Sequence, residues 1–117
     1  MKTYGDLMVE LTKAISERSV HFYIIGIDQS IGRDEVGDDL ADKITSALDN
    51  LDQMTKQGLP DKPNHQAMEY LAEMMTLVKA QDDAMRKLTS LPVEFRHAFI
   101  QYGHQLCKNI SLMAHLD

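Results

Sequence analysis

A chain of 117 residues with 44% hydrophobic content is long enough for one domain with its own core and too short for two. One Cys excludes an internal disulfide. A formal net charge of −6 argues against nucleic acid, whose phosphates require clustered Lys and Arg, and gives no reason to expect a membrane surface as partner.

The first helix is marked by Tyr4, Leu7, Met8, Leu11, Ala14, Ile15, Phe22 and Ile25 on one stripe, with Asp6, Glu10, Lys13 and Glu17 largely off it. After Ser19 the pattern changes, because Val20, Ile24 and Ile27 occupy the opposite side and leave the stretch apolar nearly all round. Such a helix needs a second covering surface. We therefore expect Val20, Ile24 and Ile27 to mediate self-association, a closed two-fold homodimer being the commonest outcome. Residues 20–27 also have strand-like composition, but no other segment reads as a strand to pair with them, so helix is the reading taken. The same run is far shorter than the ~20 residues that span a bilayer. It also starts behind a charged amphipathic stretch, too late for a signal peptide, so the expected location is cytoplasmic.

The first helix stops at Gly26 or Gly32, both suited to a C-terminal glycine. The chain turns between Gly32 and Gly37, and Asp38 or a neighbour caps a second helix. Its core stripe is Val36, Leu40, Ile44, Ala47, Leu51 and Met54, with Leu48 beside them. Lys56, Gly58 and Pro60 mark its end. Asn64 caps a third helix reaching about Thr89, with Met68, Leu71, Ala72, Met75, Val78, Met85 and Leu88 facing inward on a line that drifts as a heptad would. Ser90 or Leu91 caps the fourth helix, with Pro92 early in it.

This last helix, expected over 93–116, has two seams. Phe95, Phe99, Tyr102, Leu106, Ile110 and Met113 share one face. Gly103, Cys107, Ile110 and Ala114 form a small-residue line that lets a neighbour come close. Four such helices joined by short turns predict an all-α single domain, an antiparallel four-helix bundle of up-down-up-down order. Arg18 and Asp82 intrude on core stripes of the first and third helices at comparable depth. Either they pair and fix register, or both sit at the rim and reach solvent.

The constellations that could carry chemistry are sparse. His97, His104 and His115 lie opposite the aromatic face, but residues seven apart on a helix are about 10.5 Å apart, so no two of them grip one metal. His104 with Cys107 and His65 with Glu69 have ligand-pair spacing, yet two ligands do not make a site. The acidic stretch from Asp28 to Asp39 departs from a calcium loop, with Gly32 at the fifth place and Asp39 at the last. No metal and no cofactor is expected. The methionines Met68, Met74, Met75 and Met85 read as core packing rather than as an adaptable groove.

Glu35-Val-Gly-Asp38, followed by Asp39-Leu-Ala-Asp42, resembles half of the Glu-x-x-Asp magnesium motif of all-helical MazG-type nucleotide pyrophosphohydrolases. That resemblance implies a metal-dependent hydrolase using Glu35, Asp38 and Asp42. The other half of the motif is missing, since upstream stand only Asp6 and Glu10.

Charge supports a different reading. Between Asp28 and Lys62 nine carboxylates face four cations. On the second helix Asp38, Asp39, Asp42, Asp49 and Asp52 lie mainly off the apolar stripe, free to form a negative field toward a partner with a basic surface. The reading taken is a small acidic protein-binding protein without a catalytic centre, of the kind a regulator, anti-activator, immunity protein or chaperone-like adaptor represents. The hydrolase is the alternative.

Overall fold

The computed structural model describes residues 2–28 and 38–115, with the side chains of 23–28, 38–41, 43, 44, 47, 51 and 55 outside the described set. Four helices account for most of it: α1 (Tyr4–Asp28), α2 (Asp38–Gln57), α3 (His65–Lys87) and α4 (Val93–Ala114). No strand occurs among the described residues. Residues 20–28 continue α1 through Gly26, so the helical reading of that apolar run holds. The expected turn at Gly32 to Gly37, the Asp38 cap, and most of the α2 core stripe (Val36, Leu40, Ile44, Ala47, Leu51) lie outside the described residues or side chains.

The helix ends follow local chemistry. At the start of α1 the Thr3 hydroxyl accepts from the Asp6 N–H at 3.1 Å while the Asp6 carboxylate accepts from the Thr3 N–H at 3.1 Å. This reciprocal capping box satisfies two backbone donors at once. Beyond α2, Gly58 adopts φ 96°, a left-handed conformation that a glycine takes without a Cβ clash. Asn64 caps α3, its side chain accepting from the Ala67 N–H at 2.8 Å. Pro92 is itself the cap of α4, in extended backbone and with no side-chain bond to the helix. The cap thus lies one or two residues later than Ser90 or Leu91.

Packing is most extensive between α3 and α4, with α1 against both and α2 touching α1 and α3. The seams that meet have an average spacing of 3.5. On α1 the buried seam positions are Met8, Leu11, Ile15, Arg18 and Phe22, flanked by Thr12 and Ser19. On α3 they are Ala67, Leu71, Met74, Val78, Gln81 and Met85, continued by Leu88 at its C-cap and flanked by Tyr70, Leu77, Asp82 and Ala84. On α4 they are Phe99, Gly103, Leu106, Ile110 and Met113. A 3.5 repeat keeps one stripe facing the same neighbour over several turns, and each fully buried side chain of this size contributes roughly 1.5–3 kcal/mol. From α2, Leu48 and Met54 lean on this core half-buried.

Two stripes differ from the periodicity reading. On α3 the first half is rotated by one residue, so Met74 is buried while Met68 is 41% exposed and Ala72 faces out. Tyr70 explains the choice: its hydroxyl pairs with that of Thr12 at 2.7 Å inside the core, which turns Ala67 and Met74 inward with it. On α4 Phe95 and Tyr102 are 38% and 47% exposed. Gly103 takes the seam place beside Tyr102, because a residue without a side chain is what fits where α4 meets Asp82.

Candidate functional site

The most highly organised polar structure is a layer across the middle of the core. Arg18 reaches it from α1, one face exposed to nothing but protein: its side chain and that of Asp82 are 1% and 4% accessible. The guanidinium donates from Nη2 to Asp82 Oδ1, from Nε to Gln81 Oε1 at 3.0 Å, and from Nη1 to the Phe99 carbonyl at 3.0 Å. Gln81 Nε2 donates to Ser19 Oγ at 2.9 Å, and Ser19 in turn donates to the Ile15 carbonyl at 2.9 Å. The Arg18 carbon Cζ stacks 3.8 Å from the centre of the Phe99 ring, whose other neighbour is Phe22 at 5.9 Å. One side chain therefore joins α1, α3 and α4 with three charge-assisted donors and a cation–π contact.

Of the two arrangements open for Arg18 and Asp82, the structure adopts the buried pair. Among the described residues no buried side-chain nitrogen or oxygen lacks a partner, which is the condition under which such a layer is tolerated. Burial pushes the Asp82 carboxyl above its ordinary value, opposed by the Arg18 charge, and pushes Arg18 down, opposed by Asp82. Burial likewise raises the Tyr70 hydroxyl, opposed by its bond to Thr12, and the Cys107 thiol. The layer is closed on itself and its charges are consumed within it, so its work is positional: Thr12 with Tyr70, Ser19 with Gln81 and Arg18 with Asp82 set one register of α1 against α3.

The residues expected to act at the surface are placed as follows. Asp42, Asp49 and Asp52 are exposed on α2, alternating with Thr45, Ser46 and Gln53 along one polar face. Asp52 pairs with Lys56 at 2.9 Å, and Asn50 reaches Glu73 of α3 at 3.4 Å. The Asp38 and Asp39 side chains lie outside the described set. Val20 is 51% exposed on α1, while Ile24 and Ile27 lie outside it.

Of the hydrolase residues, Glu35 and the Asp38 side chain are outside the described set, and Asp42 is exposed. The two upstream carboxylates are engaged elsewhere: Asp6 in the α1 capping box, Glu10 in an ion pair with Lys2 at 2.6 Å. Among the described residues no three of His, Cys, Asp and Glu are grouped to hold a metal ion. No helix among them is long and apolar enough to cross a membrane. His97 and His104 face outward, His97 bonded to Gln101 at 2.9 Å.

Two surface features escaped the periodicity argument. Phe95 and Tyr102, two turns apart on α4, share an outer face beside α1, where the His21 ring lies 6.5 Å from that of Phe95. Their exposure follows from Gly103 occupying the seam, a signal present in the small-residue line but outweighed by the aromatic spacing. Comparison of the chain with protein-family models, characterised proteins and solved structures finds no match to any of them.

Proposed function

We propose that this protein acts by contact with another protein, presenting the acidic face of α2 to a basic surface. The observation that carries this reading is the run of exposed positions Asp42, Thr45, Ser46, Asp49, Asp52 and Gln53 on a helix whose Leu48 and Met54 are directed to the core. Carboxylates set on a rigid helix with its apolar side committed elsewhere produce a field of fixed direction, which speeds encounter with a cationic partner more than it raises affinity. The fold that supports it is a single antiparallel four-helix bundle in a cytoplasmic protein. Regulators, anti-activators, immunity proteins and chaperone-like adaptors are the classes of protein that work this way.

A second copy of the chain completes the reading. Val20, exposed on α1, continues in sequence to Ile24 and Ile27, and Phe95 and Tyr102 add exposed aromatic area of the kind that anchors interfaces. The test of the acidic face is to replace Asp42, Asp49 and Asp52 together with Asn. Helix content by circular dichroism should be retained. Association with the partner captured from native lysate should slow and lose most of its dependence on salt. An unchanged rate with an unchanged salt response would remove α2 from the contact surface.

A further inference from the structure

The α2 face is acidic, but a groove between two other helices has the other sign. It runs between α3 and α4 with a volume of about 540 Å³, inside the roughly 300–1,000 Å³ range of small-ligand sites. Lys79 and Arg86 line it from α3, His104, Lys108 and Ser111 from α4, and Met75 closes one end. Lys79 acts electrostatically on Cys107 across the groove, so the cations of the two helices lie around one space.

Two carboxylates are also present, and both are already paired. Asp82 forms the floor and is bound from behind by Arg18. Asp83 accepts from Arg86 Nη1 at 2.7 Å. Arg86 in turn places Nη2 3.5 Å from His104 Nε2. Among the described residues neither Lys79 nor Lys108 forms an ion pair. Lys79 and Lys108 thus face one groove whose two carboxylates are bound to other cations, in a chain with 18 acidic and 12 basic residues. With Arg18 included, four cations meet two carboxylates there, a surplus of two positive charges before any contribution from His104. The small residues Cys107 and Ser111 leave room in the groove, since a long side chain at either would fill it.

We propose that this groove binds a small organic phosphate. The dianionic phosphate matches the surplus charge, and Lys79 and Lys108 supply point-charge donors of the kind phosphate accepts. The Ser111 hydroxyl offers a further donor. An inorganic phosphate alone would leave most of the volume empty, so the organic part of the ligand lies along Met75, whose thioether packs well against an unsaturated ring.

The test is a ¹⁵N-correlation titration of the full chain with phenyl phosphate, with inorganic phosphate and phenol as separate arms. Phenyl phosphate should give saturable shifts at Lys79, His104, Cys107, Lys108 and Ser111, inorganic phosphate weaker shifts at the same amides, and phenol none. Lys79→Gln and Lys108→Gln should each weaken phenyl phosphate binding by about tenfold, the loss expected for one charge-assisted contact. Lys2→Gln with Lys13→Gln, on α1 and its leading edge, should leave it unchanged. The proposal is overturned by absence of saturable groove shifts with both phosphates up to about 10 mM, beyond the millimolar range of weak ligands. It is equally overturned by a Lys79→Gln/Lys108→Gln protein of native helix content that binds phenyl phosphate as the unmodified chain does, or by shifts of the same size with phenol.

Discussion

Gly103→Ala isolates what holds α3 and α4 together. An alanine Cβ at this position would stand 2.6 Å from Asp82 Cγ, with the carboxylate oxygens closer still. A clash with the end of a side chain is cheap when that side chain can swing aside, but the Asp82 carboxylate is pinned by Arg18. Two responses are open. If the helices separate to keep the pair, overpacking costs about 1–3 kcal/mol. If Asp82 leaves Arg18, the penalty approaches the roughly 3–5 kcal/mol of a broken buried pair. Against either stands a gain of about 1 kcal/mol from replacing glycine inside a helix. The expected net loss is about 0–2 kcal/mol if the helices separate and about 2–4 kcal/mol if the pair breaks, set against the roughly 5–15 kcal/mol that small domains possess. Urea denaturation measures it as a lowered midpoint at unchanged slope. Gly5→Ala is the matched control, because its Cβ would meet only Thr3 Oγ1 at 3.8 Å and Asp61 Cβ at 4.0 Å, ordinary contacts. A Gly103→Ala protein stabilised as much as the Gly5→Ala control would refute the close approach of α4 to Asp82.

Arg18→Met should destabilise by about 3–5 kcal/mol because it leaves the Asp82 carboxylate buried alone, whereas Arg18→Met with Asp82→Leu should recover most of the loss; a double-mutant cycle in urea reads the difference, and additive losses would contradict a shared layer. The Asp82 carboxyl is raised by burial, so its folded form binds a proton at higher pH than the unfolded chain does. Its contribution is then largest below the unfolded value and falls as pH rises through the folded one. The stability difference between the unmodified chain and Asp82→Asn should therefore move in favour of the unmodified chain on going from pH 7 toward pH 4, and movement the other way would show that the Arg18 charge outweighs burial. Thr12→Val should cost about 1–3 kcal/mol by leaving the Tyr70 hydroxyl unpaired in the core, and adding Tyr70→Phe should restore much of it. The Cys107 thiol is raised by burial, so its alkylation by iodoacetamide should be slower at pH 8 than that of a free thiol and should accelerate only as pH exceeds the ordinary thiol range; alkylation as fast as glutathione's would contradict this.

How far the sequence could be read depended on contrast between neighbouring residues. Helix ends were legible because Asn64, Gly58 and Pro92 act through their own side chains or backbone, without reference to the rest of the fold. Stripes were legible where apolar residues alternate with charges, as at Leu11, Ile15 and Phe22. They were not legible where the choice lay between Met74 and Met75, which differ in nothing that periodicity can weigh. The deciding contact there is Thr12 with Tyr70, a pairing 58 residues apart in sequence. The α4 face failed for a related reason. Hydrophobicity favours Phe95 and Tyr102 over Gly103, whereas the packed helices favour the residue that lets Asp82 approach.

The polar layer and the groove are one construction, because both use Asp82. Its Oδ1 is held by Arg18 within the core, and the same carboxylate forms the floor on which Lys79, His104 and Cys107 converge. A fully apolar core would bind the helices at least as strongly, but it would leave α1 free to slide by two turns against α3, since the 3.5 repeat on each helix matches equally well one heptad away. The layer removes that freedom: a shift of seven residues would bury Arg18 opposite Met74 and Met75 in place of Gln81 and Asp82, leaving the charge without a partner. By fixing Asp82, the same bond fixes the level at which Lys79 of α3 stands opposite Cys107 and Lys108 of α4. The geometry of the surface groove is therefore set from inside the core, and Arg18, itself buried and reaching the groove only through Asp82, is the residue whose replacement should disturb it most.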